Sequence, residues 1–366
     1  MKKLKVDIPF LISVLILVIG GYLIFRSASL GLLSKQSVKY AGVAFNQTVF
    51  GLILGSIACF VTSKIDYKIY RKFAFPLLVV ALILTFLVFV PGLGFSHGGA
   101  HRWIRIGTFS FQPSEFLKIG YVIFLSAWFA SVKDRVKQFK YGLLPFMVLS
   151  GIVGIALLIQ PDTDTFMITI FAGLAIYLSS GGKWKHILVL GICCVLGIGV
   201  LAMTRPYVKS RIMTFINPAA DSLGKGYQIQ QSLIAIGSGG MFGRGFGQSI
   251  QKFNVLPEPI GDSIFAVAAE EFGFVGATGI ILIFIFFAVR GLKIASNVPD
   301  AFGRLMVVGI VIMISSQAFV NIGAMVGVLP LSGITLPFIS HGGTALFMTL
   351  AEVGIVLNIS KNRKNK

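Results

Sequence analysis

The stretch VLPEPIGDSIFAVAAEEFGFVG, residues 255–276, organises the rest of this chain. A loop interrupted by Pro and Gly runs directly into a long apolar segment, and four carboxylates lie along the stretch. A charged group at membrane depth costs on the order of 3 kcal/mol, so chains that keep one usually use it for catalysis, transport or ion pairing. Asp262 follows Gly261 at the expected start of a helix, where the helix dipole favours its ionised form. This position suits a base at a membrane surface, and it equally suits a simple helix cap.

Three other acidic residues lie in apolar segments. On a helix, Glu270 lies about 80° around the axis from Asp262, and Glu271 lies about 180° from it. We therefore expect Glu270, rather than Glu271, to face the same cavity as Asp262. Glu352, in the last apolar run, has no partner nearby in the sequence and must face the protein interior or the inner interface.

The composition excludes a soluble domain. The 366 residues are 55% hydrophobic and 12% charged, and several apolar runs are long enough to span a membrane. We predict an all-α polytopic membrane protein that forms one domain, residues 1–366, without strands. A formal net charge of +19 would suggest nucleic acid binding in a soluble protein. In a membrane protein each basic residue must first be assigned to one side of the membrane. We predict no nucleic acid partner.

The hydropathy pattern predicts ten spans. They lie at 8–26, 42–63, 73–90, 115–132, 142–159, 165–180, 187–203, 263–289, 305–328 and 342–360. With a cytoplasmic N-terminus, 20 of the 32 Lys and Arg residues fall in inner segments, whereas the outer connections 160–164 and 329–341 contain none. This bias follows the positive-inside rule. An even number of spans then places both termini in the cytoplasm.

One connection, residues 204–262, is much longer than a usual linker and contains six basic residues. Its segment YQIQQSLIAI is amphipathic and could lie along the outer leaflet with its apolar face against membrane lipids. We therefore predict a large ordered extracytoplasmic loop over 204–262. Within it, Gly243-Arg244-Gly245-Phe246-Gly247 is weak as a nucleotide signal but suits a lipid-linked phosphate.

Shorter outer connections also carry polar residues. Pro113-Ser114-Glu115 predicts a helix start with Ser114 as the cap, and the spacing of Glu115 and Lys118 suits an ion pair. Asp162 and Asp164 could bind a cation or a basic partner, although Pro-Asp-Thr is also ordinary turn chemistry.

The last outer connection, residues 321–347, is rich in Gly and Pro. Broken backbone at membrane depth is tolerated when it is buried in protein or lines a cavity. We therefore predict a cavity that opens outward, with His341 at its rim, although a lone histidine is more often packed than catalytic.

Taken together, these stretches resemble the SEDS (shape, elongation, division and sporulation) family of bacterial cell-wall polymerases, over nearly the whole chain. The motifs that carry the resemblance are HRWIRIGTFSFQPSEFLK, QPDTDT, GKGYQIQQSLIAIGSGGMFGRGFGQS, LPEPIGDSIFAVAAEEFGFVG and GITLPFISHGGTAL. The GYQIQQSLIAIGSGG and NIGAMVGVLPLSGITLPFISHGG runs are more similar to the division-type FtsW branch than to the elongation-type RodA branch. The resemblance implies polymerisation of lipid II, an undecaprenyl-diphosphate-linked disaccharide-pentapeptide, at the bacterial cytoplasmic membrane, together with a class B penicillin-binding transpeptidase.

The resemblance also implies roles for particular residues. Asp262 matches the essential aspartate of the family. The implied residues of the outer cavity are Arg102, Gln112, Glu115, Lys118 and Asp162. The chain departs from the family pattern at Ile260-Gly261, where His-Thr is common, at His341, where Tyr is common, and at Asp164, where Gly is common.

Glycosyl transfer needs a base for the acceptor hydroxyl and positive charge for a diphosphate leaving group. Asp262 is the candidate base, and a single inverting displacement is expected. Mg²⁺ or Mn²⁺ could assist, because phosphate and carboxylate oxygens suit these ions. The other candidate substrate-binding residues are Arg205, Arg211, Arg244, Glu258 and His341. The alternatives are a flippase for a lipid-linked precursor, an elongation-type polymerase and a non-enzymatic scaffold.

Overall fold

A computed structural model of the protein describes residues 6–33, 37–97, 100–106, 109–204, 206–217, 224–253 and 255–362. Helices dominate the described residues, and a π-helical segment, Asn46–Leu54, joins the second helix to the third. The α-helices are α1 Ile8–Leu33, α2 Ser37–Phe45, α3 Gly55–Lys64, α4 Lys68–Lys72, α5 Ala74–Phe86, α6 Pro113–Val132, α7 Leu143–Ile159, α8 Thr163–Ser179, α9 Trp184–Thr204, α10 Pro206–Ile216, α11 Lys225–Ser238, α12 Ile264–Asn297, α13 Ala301–Met325 and α14 Gly343–Ser360.

The predicted polytopic membrane architecture is confirmed. Among the described residues, seven helices are long and apolar enough to cross a membrane, and each coincides with a predicted span. Three shorter apolar helices, Ala74–Phe89, Leu143–Ile159 and Thr163–Ser179, lie at the other three predicted spans. The count of ten and the cytoplasmic placement of both termini stay predictions.

A small antiparallel sheet precedes α6, so the prediction of a chain without strands is wrong. Its order is β1 (Gly94–His97), β2 (Ala100–Ile106) and β3 (Phe109–Phe111), with Ile104 opposite Phe111 in the register of the second pair. The longest strand has seven residues. A hydropathy window of about 19 residues averages over strands of this length, which is why the pattern missed them.

Helix α13 lies at the centre of the bundle and packs against α6, α8 and α12. Close packing at this centre depends on Gly309. A Cβ at this position would lie 2.6 Å from the side chains of both Ile176 and Val122. A larger residue would therefore force α13 away from α6 and α8, which carry several of the candidate site residues.

Helix α12 is broken near its N-terminal end, where Gly273 has φ 66° and ψ −167°. Four backbone hydrogen bonds of 2.8–3.1 Å join residues 270–275 to residues 240–245 of the large loop. A Cβ on Gly273 would lie 2.3 Å from the backbone nitrogen of Gly243, so this contact requires glycine. The large loop therefore contains ordered segments, as predicted, and one of them completes the backbone pairing of a membrane helix.

The expectation that Glu270 faces a cavity with Asp262 is wrong. Glu270 is fully buried, and its carboxylate accepts hydrogen bonds from Ser249 Oγ at 2.5 Å, Ile250 N at 3.0 Å and Gln251 N at 3.3 Å. A helical projection cannot include a loop that folds back onto the helix. Glu270 therefore anchors the large loop.

Glu271 forms a second anchor, which we call the lysine clamp (Ser27, Lys252 and Glu271). Lys252 Nζ lies 2.7 Å from Glu271 Oε1, and both side chains are at most 1% exposed. Lys252 also donates to Ser27 Oγ at 3.0 Å, and Ser27 Oγ lies 2.6 Å from Glu271 Oε1. The clamp ties α1, α12 and the large loop together. Its loop residue, Lys252, lies ten residues before Asp262 in the chain.

Candidate active site

Asp262 lies in a tight turn just before α12 and does not cap the helix, because the N-cap position belongs to Ser263. The turn closes on the carbonyl of Glu258, which accepts from Gly261 N at 3.0 Å and Ser263 N at 3.2 Å. Glu258 has φ +45°, a conformation that is rare for a residue with a side chain and is often found at functional sites. The geometry therefore favours the interpretation of Asp262 as a functional residue over that of a simple cap.

Helix α13 and the segment between α13 and α14 fix this turn from the other side. Asn321 Nδ2 donates to the carbonyl oxygens of Asp262 at 2.9 Å and Ile334 at 2.7 Å. Ser340 Oγ donates to the Gly261 carbonyl at 2.7 Å. Since both carbonyls are held by side chains from another part of the chain, the backbone that carries the Asp262 carboxylate is well supported.

Three charged groups converge at Gly333. A Cβ built on Gly333 would lie 3.8 Å from Asp262 Oδ2, 3.9 Å from Arg211 Nη2 and 3.9 Å from Asp164 Oδ2. Arg211 Nη1 forms an ion pair with Asp164 Oδ1 at 2.6 Å, and Asp164 Oδ2 accepts from Gly333 N at 3.1 Å. The absence of a side chain at position 333 thus leaves a narrow space bordered by one cation and two carboxylates.

The environment of Asp262 raises its pKa to about 7. Burial is the largest cause, and the negative charges of Glu258 and Asp164 add to it. The guanidinium groups of Arg211 and Arg102 act in the opposite direction. A carboxylate with such a pKa is poised to exchange a proton near neutral pH.

Arg102, which is partly exposed, and the buried Asp162 form an ion pair beside this turn. Arg102 Nη1 lies 3.5 Å from Asp162 Oδ1, and the same guanidinium donates to the backbone carbonyls of Gln160 and Pro161. Burial raises the pKa of Asp162. Ser114, predicted as a helix cap, does not cap α6; its Oγ lies 3.4 Å from Asp162 Oδ2. Arg102 is therefore held by one carboxylate and two backbone carbonyls, and its place in a substrate cavity stays a prediction.

The predicted ion pair on α6 is confirmed and is buried. Lys118 Nζ lies 2.9 Å from Glu115 Oε1 and donates to Gln317 Oε1 at 2.9 Å. Gln317 in turn donates to the carbonyl of Thr335 at 3.0 Å. Gln112 occupies the N-cap position of the same helix. The pair is thus connected to the segment that also supports the Asp262 turn.

His341 lies against the same turn, and its backbone nitrogen donates to the Ile260 carbonyl at 2.7 Å. The imidazole ring stacks on Phe25 with 5.9 Å between centroids, and its Nε2 has no hydrogen-bond partner within the described residues. Burial lowers the pKa of His341 to about 4, so the ring is neutral at pH 7.

Of the two other predicted arginines, the structure describes Arg244. Arg244 Nε lies 3.5 Å from Glu270 Oε1, at the junction of the large loop with α12. Arg205 lies outside the described residues. Among the predicted cations that the structure describes, Arg102 and Arg211 act on the charge of Asp262, and Lys118 is connected through Gln317 to the segment that supports its turn.

Sequence reasoning missed the contributions of Gly333, Ser340 and Lys252. Gly333 and Ser340 act through a backbone gap and a backbone contact, neither of which leaves a pattern in a single sequence. Lys252 follows the polar run GQSIQ, so in the sequence it is simply one of the basic residues of the large loop. Over the described ranges, no group of three or more His, Cys, Asp or Glu residues could hold a metal ion.

Comparison with known proteins decides the family. The family model for the FtsW, RodA and SpoVE cell cycle proteins matches residues 8–365. The chain belongs to the FtsW/RodA/SpoVE family. The resemblance to the SEDS proteins is thereby confirmed, and this family member is a multi-pass protein of the bacterial cytoplasmic membrane.

Relatives of this family match along nearly their whole length. Stage V sporulation protein E of Bacillus subtilis is 39% identical over 363 residues, which cover 98% of each chain. A probable peptidoglycan glycosyltransferase FtsW from a Geobacter species (strain M18) is 36% identical, with 97% of this chain and 96% of the relative covered. A chain of a solved peptidoglycan synthase complex is 27% identical with a TM-score of 0.81, and 99% of both chains is covered.

Proposed function

We propose that this family member is a peptidoglycan glycosyltransferase that polymerises lipid II at the outer face of the membrane, with Asp262 as the general base. The observation that carries the proposal is the Asp262 turn. Its carboxylate has a pKa of about 7, lies beside Arg211 and is supported by backbone contacts to Asn321 and Ser340. A base is most effective when its pKa is near the working pH.

In the proposed reaction Asp262 takes the proton from the 4-hydroxyl of the acceptor sugar. The hydroxyl oxygen forms a bond to C1 of the donor sugar, and the bond from C1 to the diphosphate oxygen breaks. The electron pair of that bond leaves with the undecaprenyl diphosphate. This is a single displacement that inverts the configuration at C1.

The leaving diphosphate needs positive charge, for which we propose Arg102, Lys118 and Arg211. Each of these cations is held by its own carboxylate, which fixes its position before the substrate binds. Arg211 also keeps its Nε without a hydrogen-bond partner in the described part of the chain. A buried unsatisfied donor favours an acceptor such as a phosphate oxygen.

We also propose that Mg²⁺ or Mn²⁺ assists, with phosphate oxygens of the substrate among its ligands. Polymerisation should then fall on chelation with EDTA and recover with either ion. Full activity in EDTA would contradict this part of the proposal.

A class B penicillin-binding transpeptidase is the proposed partner, and a division role is proposed over an elongation role. The FtsW name of the Geobacter relative and the synthase complex that contains the structural neighbour support these assignments. Co-purification with candidate transpeptidases tests the partner assignment. The shape of cells depleted of the protein tests the role, because filamentous cells indicate division whereas rounded cells indicate elongation.

The proposal is tested by polymerisation of labelled lipid II, with the purified protein alone and co-expressed with a transpeptidase. Asp262→Asn should abolish polymer while the protein stays folded. Asp134→Asn is the matched control, because Asp134 is exposed on the short helix after α6, and it should leave polymer formation unchanged.

Equal polymer from wild type and Asp262→Asn would refute Asp262 as the base. If the wild type with its partner makes no polymer but moves labelled lipid II across vesicle membranes, the flippase alternative replaces the enzyme. If it does neither, the scaffold alternative remains.

A further inference from the structure

The ion pair between Asp164 and Arg211 joins three separate parts of the chain around Asp262. Asp164 lies in the first turn of α8, and Arg211 lies on α10 of the large loop. The second oxygen of Asp164 accepts from the backbone of Gly333, between α13 and α14. Both oxygens of this carboxylate are therefore used to hold other elements, while Asp262 stands across the Gly333 gap.

We propose that Asp164 is a positioning residue that holds the Arg211 guanidinium beside Asp262 and keeps it from neutralising the base. The inference rests on the proposed function, because it concerns the reactivity of the same carboxylate.

The Arg211 guanidinium is paired with Asp164 and borders the same gap as Asp262. Arg211 Nη1 is committed to Asp164 at 2.6 Å, with Thr163 Oγ1 at 3.4 Å. Arg211 Nη2 and Asp262 Oδ2 lie 3.9 and 3.8 Å from the position that a Cβ on Gly333 would take, so both groups border the same gap, and the positive charge of Arg211 acts on Asp262. A charge-assisted contact as short as that to Asp164 is strong and restrains the guanidinium.

Removal of the Asp164 charge should lower the proton affinity of Asp262. The charged groups that face Asp262 are Glu258 and Asp164, which raise its pKa, and Arg211 and Arg102, which lower it. Loss of Asp164 removes one negative charge and also frees Arg211 to pair with Asp262. Both effects lower the pKa of Asp262, and a weaker base accepts the acceptor proton less readily.

The test measures the pH dependence of lipid II polymerisation for wild type, Asp164→Asn and Asp164→Gly. The acid limb should move to lower pH by about one unit in both variants. The rate at pH 8 should fall several-fold, while KM changes less than kcat. Asp134→Asn serves again as the control and should keep the wild-type profile.

A purely structural role would lower the rate equally at all pH values and leave the acid limb in place. That result, or loss of the folded state in both variants, would overturn the inference while the proposed function stands. Absence of polymer from the wild type with its partner would instead overturn the proposed function itself. Asp164→Gly decides the outcome if only Asp164→Asn fails to fold.

Discussion

The lysine clamp offers a quantitative test of how the large loop is held. Lys252 is 0% exposed and Glu271 is 1% exposed, so each charge depends on the other for compensation. Lys252→Met keeps a side chain of similar length but leaves the Glu271 carboxylate buried with only neutral donors. Breaking one side of a buried ion pair costs about 3–5 kcal/mol, because the remaining charge is uncompensated.

Glu271→Gln combined with Lys252→Met removes both charges. A buried pair replaced by neutral groups of similar volume is often close to neutral in stability, so the double variant should recover most of the loss. The expected coupling between the two substitutions is about 2–4 kcal/mol. Two independent packing contributions would add and give a coupling near zero, so a coupling of this size identifies a desolvated pair.

The assay heats the detergent-solubilised protein and measures the folded fraction by fluorescence-detected size exclusion. Lys252→Met should lower the apparent melting temperature by at least about 5 °C, and the double variant should recover more than half of that. Lys293→Met, at an exposed position of α12, is the matched control and should melt like the wild type. A single variant as stable as the wild type, or a double variant no better than the single one, would refute the reasoning.

Three further outcomes are expected. Polymerisation by the wild type should be half-maximal near pH 7 and fall about tenfold per unit below it, because Asp262 must be deprotonated to act; a flat profile from pH 5 to 8 would contradict this assignment. Lys118→Met should abolish polymer and cost about 3 kcal/mol of stability, because it leaves Glu115 buried and uncompensated; heating and polymer assays on the same preparation measure both. Arg102→Lys should reduce polymer about tenfold, because an ammonium cannot reproduce the fork to Asp162 and two carbonyls, and an unchanged rate would show that charge alone suffices.

The sequence predicted the helical spans well, because long apolar runs are a direct consequence of the thickness of the bilayer. It also predicted the pair Glu115 and Lys118, since residues three apart share a helix face. These successes depend on local periodicity. They needed no knowledge of how distant segments meet.

The predictions that failed are those that local periodicity within one segment cannot give. Glu270 was expected in the cavity because a helical projection treats α12 as an isolated cylinder, whereas residues 249–251 fold onto it. The strands before α6 were missed because they are short. The gap at Gly333 depends on four parts of the chain at once, and no pattern within one of them indicates it.

The break in α12 has a consequence for how the protein is made. Residues 270–275 lack part of their own helical hydrogen bonding and obtain it from residues 240–245, which precede them in the chain. Each backbone group left unpaired in lipid costs several kcal/mol. Insertion of α12 into the bilayer and closure of the loop over it are therefore one event. Asp262 lies between the two paired segments in the chain, so it reaches its final position only when that event is complete.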